Sequence, residues 1–303
     1  MTQQDRFLWG IDLGGTKIEA VVLDTANELE IISRLRVPTE AEHGYEHVLD
    51  QINKLINLVK DDTGLSPTKI GIGTPGTIDP YLQTLKNCNS VYLNGKPFKI
   101  DLEKKLNLPC TVANDANCFA ASEANGIISK ELPDAKVVFG VIMGTGVGGG
   151  LVVNGQVLNG NQGICGEWGH NFLDESGGDC YCGKVGCVET VISGPALERY
   201  YQKVSGQKKK LREIVELYRS DADEHANETM KRLFHFFGLG ISSIINLIDP
   251  DAIVIGGGVG NIDELYVQGV EELKKHVFNN RLDTKFYKPI FGDSSGVIGA
   301  ALL

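Results

Sequence analysis

Long apolar runs are missing from this chain of 303 residues. A transmembrane helix needs a stretch of about 18 or more predominantly apolar residues, and the sequence contains none. The first residues, Met1–Arg6, also lack the basic and then apolar arrangement of a signal peptide. We therefore expect a cytoplasmic protein with no membrane partner.

An excess of positive charge is missing as well. Lys and Arg number 29 against 39 Asp and Glu, which gives a formal net charge of −10. Binding to nucleic acid or to an anionic membrane needs clustered Lys and Arg, so we expect no nucleic-acid partner. A small anionic ligand held by backbone N–H groups remains compatible with this charge.

An even set of cysteines, typical of a disulfide framework, is also lacking. The chain has seven cysteines, and an odd number in a cytosolic protein does not suggest paired disulfides. Three of them, Cys180, Cys182 and Cys187, follow His170 closely in the sequence. Three thiolates and one imidazole suit a tetrahedral structural Zn²⁺ with no open position. The alternative is a set of buried free cysteines near an unrelated histidine.

Glycine, in contrast, is abundant, with 37 residues in the chain. Three glycine turns follow predicted strands, and glycine lets a backbone approach a phosphate closely. Their residues are Asp12, Gly14, Gly15, Thr16 and Lys17 in the first turn, Gly144, Thr145 and Gly146 in the second, and Gly256, Gly257 and Gly258 in the third. Each turn alone would be an ordinary tight turn, but three together predict a nucleotide site.

Two common nucleotide motifs are excluded. Gly144, Gly146 and Gly149 fit G-x-G-x-x-G, but a predicted strand and hairpin follow them where a dinucleotide fold has a helix. The phosphate-binding loop pattern G-x-x-x-x-G-K-[ST] does not occur either.

The order of predicted elements repeats within the chain. A strand, a glycine turn, a strand and a further strand occur at 7–37 and again at 137–158. Apolar periodicity also predicts helices at 45–63, 222–247 and 262–275. We therefore predict an α/β protein with duplicated strand-turn-strand cores, in the two-domain actin-like (ribonuclease-H-like) ATPase fold. The predicted domains are 1–115 with 290–303, and 116–289, which would carry the zinc loop and the adenosine site.

Carboxylates are placed where a polyhydroxylated substrate would need them. Asn114 and Asp115 lie at a strand-to-helix junction, while Glu167 and Glu189 flank the Cys/His cluster in sequence. Carboxylates accept hydrogen bonds from vicinal hydroxyl groups, so this set predicts a sugar site. Taken singly, Asp115 would be a helix N-cap and each glutamate a surface acid.

These residues together resemble the ROK family of sugar kinases and repressors. The resemblance runs along nearly the whole chain and is most specific in Glu167-x-Gly169-His170 and in Cys180-x-Cys182-Gly-x-x-Gly-Cys187-x-Glu189. Within the family, the segments 86–98, 166–171, 180–184 and 292–296 resemble bacterial fructokinase/mannokinase.

The resemblance implies ATP-dependent phosphorylation of a hexose hydroxyl, usually at C6, with Asp115 as the general base. It implies sugar contacts at Gly76, Asn89, Asn114, Asp115, Glu167, His170 and Glu189. His170 would place one ring nitrogen on zinc and donate with the other to the sugar. The glycine turns would hold ATP with Mg²⁺, and Zn²⁺ would be structural. We expect a homodimer.

Other assignments stay open. An N-acetylglucosamine (N-acetylhexosamine) kinase or a glucokinase shares most of these motifs. A ROK repressor would carry a DNA-binding domain before the first strand, where about six residues stand here, too few for a helical DNA reader. An idle sugar-binding protein of the same fold is disfavoured by the presence of Asp115 and of a complete phosphate turn.

Overall fold

The structure is a computed structural model that describes residues 6–303, so residues 1–5 of the predicted first domain lie outside it. The chain divides into two compact units, which are described separately. The first contains 6–133, 150–165 and 290–303, and the second contains 134–149 and 166–289. These limits differ from the predicted ones mainly because 116–133 and 150–165 belong to the first unit.

A five-stranded sheet forms the centre of the first unit, with the strand order β3-β2-β1-β4-β7. Strands β1 to β3 are antiparallel neighbours, whereas β4 and β7 run parallel to β1. A separate two-stranded ribbon joins β5 and β6. The strands are β1 Phe7–Leu13, β2 Lys17–Asp24, β3 Glu30–Pro38, β4 Ile70–Thr74, β5 Thr77–Ile78, β6 Leu85–Lys86 and β7 Cys110–Asn114.

A second five-stranded sheet has the order β10-β9-β8-β11-β12, which repeats the connectivity of the first. Its strands are β8 Val137–Met143, β9 Val147–Val153, β10 Gln156–Val157, β11 Ala252–Gly256 and β12 Lys285–Tyr287. Strand β11 is parallel to β8 and to β12, and β9 is antiparallel to β10. The boundary between the two units falls within β9. The predicted duplication of the strand-turn-strand core is therefore confirmed.

Ten α-helices occur between residues 6 and 303. They are α1 Tyr45–Thr63, α2 Phe98–Leu106, α3 Asp115–Lys130, α4 Val188–Ile192, α5 Gly194–Ser205, α6 Leu211–Arg219, α7 Glu224–Ile248, α8 Gly257–Gly260, α9 Gln268–Leu273 and α10 Ser295–Ala301. The predicted helix at 45–63 is confirmed, and its buried face packs in the first unit's core. None of the helices in the described part of the chain has the length and apolar character needed to cross a membrane.

The C-terminal helix α10 is held in the first unit by a buried carboxylate. Glu123 on α3 accepts hydrogen bonds from the backbone N–H of Ile290 at 2.6 Å and of Phe291 at 3.2 Å. The Ser295 hydroxyl donates to the same side chain at 2.5 Å. Because a buried carboxylate without partners is costly, these three donors fix the segment that leads into α10.

The single helix predicted at 262–275 is wrong. A 3-10 helix at Asp263–Tyr266 is followed, after Val267, by α9, which ends at Leu273. The Tyr266 hydroxyl contacts the carbonyl oxygens of Gly260 at 3.0 Å and Ile255 at 3.2 Å. These contacts tie the first turn back to the end of β11, and such tertiary constraints override helical periodicity.

Candidate functional site

The carboxyl edge of the first sheet brings together the predicted general base, a predicted sugar contact and a residue of the first predicted nucleotide turn. In the parallel pairing, Asp12 of β1 lies opposite Gly73 of β4, and Thr74 of β4 lies opposite Asn114 of β7. Asp115 follows directly as the first residue of α3. Asp12, Asn114 and Asp115 therefore share one edge of this sheet, as ends of parallel strands do.

Asn114 and Asp115 form the N-terminus of a 16-residue helix. The Asn114 side chain accepts a hydrogen bond from the backbone N–H of Asn117 at 2.7 Å, which caps α3. One carboxylate oxygen of Asp115 accepts from the N–H of Ala116 at 2.8 Å. The cap fixes the backbone at Asn114, so the direction in which Asp115 leaves the helix is set by α3.

The two carboxylates at this edge have raised pKa values. Burial raises the pKa of Asp12 to about 6, the negative charges of Asp115 and Glu19 add to the shift, and Lys17 opposes it. Burial also raises the pKa of Asp115 above its usual range, against hydrogen bonds from backbone N–H groups. Asp115 is nevertheless exposed to solvent, while protein atoms around its carboxylate raise its pKa. Such a carboxylate is suited to accept a proton.

Replacing Asp12 by Asn is expected to stabilise the protein at pH 7.5. In the unfolded chain the carboxyl has a pKa near 3.8, whereas in the folded protein it is about 6. The folded state therefore binds more protons between these values, and the free energy of unfolding falls as pH rises through this window. We expect Asp12→Asn to recover roughly 1–3 kcal/mol at pH 7.5 and almost nothing below pH ~4.

Calorimetric melting without nucleotide, at both pH values, measures this difference. Equal stability of Asp12→Asn and the unmodified protein at pH 7.5 would show that ionised Asp12 does not destabilise the folded protein.

Thr39, which sequence reasoning missed, supports the first glycine turn. The N–H of Gly14 donates to the Lys17 carbonyl at 3.0 Å, which closes the turn. Thr39, just after β3, donates its hydroxyl to the Gly14 carbonyl at 2.8 Å and its N–H to the Thr16 carbonyl at 3.0 Å. Gly15, Thr16 and Lys17 remain exposed, so their donors are available to an anionic ligand.

Gly76 and Asn89, the other two predicted sugar contacts of the first unit, differ in their exposure to solvent. Gly76 is buried, and its carbonyl accepts a hydrogen bond from the Thr74 hydroxyl at 2.8 Å. Asn89 is exposed, in a loop closed by Asn94. The Asn94 amide accepts from the Cys88 N–H at 2.9 Å and donates to the Cys88 carbonyl at 3.1 Å. Asn94, which sequence reasoning missed, therefore positions the segment that carries Asn89.

In the second unit, the two remaining glycine turns lie side by side. They follow the parallel strands β8 and β11, in which Gly256 pairs with Ile142. A Cβ atom built on Gly144 would lie 3.9 Å from the Cα of Gly257. Gly257 has φ +81°, and a Cβ there would lie 2.4 Å from the Met143 carbonyl oxygen, so only glycine fits. The structure thus brings together two of the three turns predicted to bind ATP.

Glu189 links the Cys/His loop to the second glycine turn. It lies in the first turn of α4, two residues after Cys187, and its Oε2 accepts the N–H of Val147 at 2.9 Å. A Cβ on Gly146 would lie 2.5 Å from the same oxygen, so the glycine makes room for the carboxylate. The predicted sugar contact Glu189 therefore also supports the second glycine turn.

The Cys/His cluster has the geometry of a metal site. One ligand atom from each of His170, Cys180, Cys182 and Cys187 lies within 4.8 Å of all the others. The Cys182–Cys187 sulfur distance is 3.6 Å, and Cys180 Sγ lies 3.5 Å from His170 Nδ1. In a tetrahedral zinc site with Zn–S of about 2.3 Å and Zn–N of about 2.0–2.1 Å, these edges would be about 3.8 and 3.6 Å. The four side chains therefore fit a zinc ion.

Tyr181, between two of the cysteines, was missed by sequence reasoning. Its hydroxyl lies 3.0 Å from His170 Nε2, the nitrogen expected to contact the sugar, and its ring meets the imidazole edge-on at 5.1 Å. Burial, and the nearby charges of Glu189 and Glu167, raise the pKa of Tyr181 to about 12. Tyr181 thus stands among the three sugar contacts predicted for this unit, as a neutral hydroxyl donor and acceptor.

Glu167, the third of these contacts, is half-buried and immediately precedes a 3-10 helix at Trp168–His170. The Trp168 indole N–H donates to the Gly148 carbonyl at 3.0 Å, in the strand that follows the second glycine turn. This hydrogen bond fixes the short helix that carries His170.

The chain belongs to the ROK family, whose model matches residues 8–303. It is 34% identical to the N-acetyl-D-glucosamine kinase of Vibrio parahaemolyticus over 97% of this chain and 98% of the relative. It is 36% identical to the N-acetyl-D-glucosamine kinase of Pectobacterium atrosepticum, with the same coverage. Among solved structures, the ROK hexokinase of Thermus thermophilus superposes with a TM-score of 0.85 at 31% identity, over 98% of this chain and 97% of that one.

These matches define the class of protein. Its structural neighbours are ROK sugar kinases, so the two repeated sheets are those of the actin-like ATPase fold, as the sequence predicted. The protein is an ATP-dependent sugar kinase, with a sugar and ATP as its substrates. Kinases of this kind act on phosphates neutralised by Mg²⁺.

Proposed function

We propose that this protein transfers the γ-phosphate of ATP to N-acetyl-D-glucosamine. This choice of substrate rests on the similarity to N-acetyl-D-glucosamine kinases, at 34% and 36% identity over nearly the full length. It supports the alternative that the sequence left open, and it does not support the fructokinase/mannokinase prediction. Glucose is the second candidate, since a ROK glucokinase of Streptomyces griseus with bound glucose superposes at a TM-score of 0.75 and 28% identity, over 97% of this chain and 98% of that one.

Asp115 is the proposed general base. Phosphoryl transfer needs a positioned hydroxyl and an acceptor for its proton. The raised pKa of Asp115 and its exposed carboxylate at the start of α3 favour this role, since proton transfer is most efficient when the pKa of the base approaches the working pH. Asn114, which is fixed as the cap, is proposed to bind a neighbouring sugar hydroxyl.

Backbone N–H groups are proposed to bind the nucleotide. In the first unit these belong to the turn at Gly14–Lys17, and in the second unit to the adjoining turns at Gly144–Gly146 and Gly256–Gly258. Bound Mg²⁺ would neutralise the phosphate charge. Asp12 is a carboxylate at the end of β1 whose pKa is raised by burial and by neighbouring negative charges, so a nearby Mg²⁺ would stabilise its ionised form.

Zn²⁺ is the proposed structural metal of the Cys/His cluster, held by His170, Cys180, Cys182 and Cys187. If Nδ1 of His170, which lies near Cys180 Sγ, held the zinc, the ring would carry its proton on Nε2 and could donate it. The Tyr181 hydroxyl lies where that donor points, so a sugar hydroxyl that binds His170 must replace Tyr181 or share the donor with it. Glu167 and Glu189 are the proposed acceptors for further sugar hydroxyls.

A substrate panel tests the proposal. We expect kcat/KM for N-acetylglucosamine to exceed those for glucose, mannose and fructose by at least about tenfold, since one recognised group is worth about 10–200-fold. A coupled assay of ADP release with ATP and each sugar measures this ratio. Faster turnover of fructose or mannose would restore the fructokinase/mannokinase assignment, and no turnover of any sugar would refute the substrate proposal as a whole.

A cytoplasmic location and a homodimeric assembly, both expected from the sequence, stay predictions.

A further inference from the structure

A second group of metal-ligand side chains lies away from the Cys/His cluster, in the second unit. It consists of His235 on α7, Glu272 on α9 and His276 in the turn after α9. One ligand atom from each lies within 4.8 Å of the others. None of the three belongs to the motifs by which the sequence resembles a sugar kinase.

Both imidazoles converge on one carboxylate oxygen. His235 Nδ1 lies 3.2 Å and His276 Nε2 lies 3.4 Å from Glu272 Oε1. Ordinary N–H···O hydrogen bonds span about 2.7–3.2 Å, so the first distance lies at the long end of this range and the second lies beyond it. The edges of a tetrahedral site with zinc–ligand bonds of about 2.0–2.1 Å are about 3.3–3.4 Å, close to both distances.

We propose that His235, Glu272 and His276 form a second metal site, specific for Zn²⁺ and similar borderline ions such as Co²⁺ and Ni²⁺. Two imidazoles with one carboxylate suit these ions better than Mg²⁺, which prefers oxygen ligands. Three protein ligands leave a coordination position for water. This inference does not depend on the proposed function.

The surroundings of the site predict an exchangeable ion. The His235 side chain is 50% exposed, and no thiolate belongs to the ligand set. Lys275 pairs with the other carboxylate oxygen of Glu272, so Oε1 is the oxygen left for the metal. The positive charge of Lys275 lowers the affinity for a cation, and the site should bind more weakly than the Cys/His cluster.

A bound ion would join two helices that already pack closely. The backbone of α7 approaches α9 at Gly238, where an added Cβ would lie 2.9 Å from the N atom of Leu273. The chain between His235 and His276 includes β11 and the turn at Gly256–Gly258. Metal binding should therefore raise the melting temperature of the unit that holds this turn, by stabilising the folded state alone.

Calorimetric titration of the purified full-length protein with ZnCl₂ at pH 7.5, with its resident metal left in place, tests the site. We expect one saturable site, on which His276→Gln and, separately, His235→Gln lower the affinity by at least about tenfold. His225→Gln, an exposed histidine at the start of the same helix, is the matched control and should bind like the unmodified protein.

Titration with Co²⁺ supplies a second measurement. The new site should give a cobalt spectrum without the sulfur-to-metal charge-transfer bands that thiolate ligands produce, and the His276→Gln variant should lose it. Binding only at millimolar zinc, or equal binding by His276→Gln and His225→Gln, would overturn the proposal. In either case the three side chains would form a hydrogen-bonded cluster and nothing more.

Discussion

Replacing Asp115 by Asn should lower kcat by about 10²–10⁴-fold, the contribution of a general base. The amide keeps the size of the side chain and its capacity to accept the Ala116 N–H, but it cannot take the proton of the sugar hydroxyl. The start of α3 should therefore stay folded, because its cap is the Asn114 side chain. Steady-state kinetics with the best sugar of the panel measure the loss.

The control for this experiment is Asp61→Asn, which removes an exposed carboxylate from α1 in the same unit. It should leave kcat unchanged. Calorimetry should show that Asp115→Asn still binds the sugar with nearly normal affinity. A correctly folded Asp115→Asn enzyme with near-normal kcat would refute the assignment of the base.

The pH dependence provides a further check on the same residue. Asp115 must be ionised to accept a proton, and burial raises its pKa. The rate should therefore fall as the pH is lowered through that raised value, while Asp115→Asn should show no such limb. Because Asp12 also titrates high, near pH 6, a shared limb would report the coupled pair and not either residue alone.

The sequence predicts those parts of the fold that depend on local pattern. Helix α1 is set by its apolar face and by Gly64, which has φ +68° at the C-terminus, and both features are visible in the sequence. Helix α5 was missed, although Ser193 caps it and Pro195 stands in its first turn, a signal typical of a helix start.

The candidate site could be predicted only where a residue type carries the chemistry by itself. Asp12, Asp115 and the four residues of the Cys/His cluster have distinctive spacing. The supporting residues Thr39, Asn94 and Tyr181 do not, because each acts through a partner at least six positions away that only the folded chain identifies. The choice of sugar depends in the same way on side chains whose positions only the folded chain shows, such as Tyr181 beside His170.

Loss of the structural metal is the second large effect we expect. Cys182 is exposed, so Cys182→Ser should remove a zinc ligand with little direct cost in packing. The unmodified protein should contain about one zinc per chain in the Cys/His cluster, because four ligands complete one tetrahedral site. Removing a second-shell partner of a ligand lowers metal affinity by ~10–100-fold. Because Cys182→Ser removes a ligand itself, we expect its zinc affinity to fall by more than that. Elemental analysis after dialysis measures this, with Cys165→Ser as the control.

The kinetic consequence follows from the position of Glu189. Cys187 precedes it by two residues, and Glu189 Oε2 holds the Val147 N–H in the second glycine turn. When the cluster loosens, both the proposed sugar contact Glu189 and the second glycine turn, proposed to bind ATP, lose their support. KM should therefore rise for both sugar and ATP, whereas mutating a proposed sugar contact other than Glu189 should raise only the KM for sugar. Zinc loss without any change in either KM would show that the cluster does not position Glu189, and an absence of zinc in protein purified without chelators would refute the metal itself.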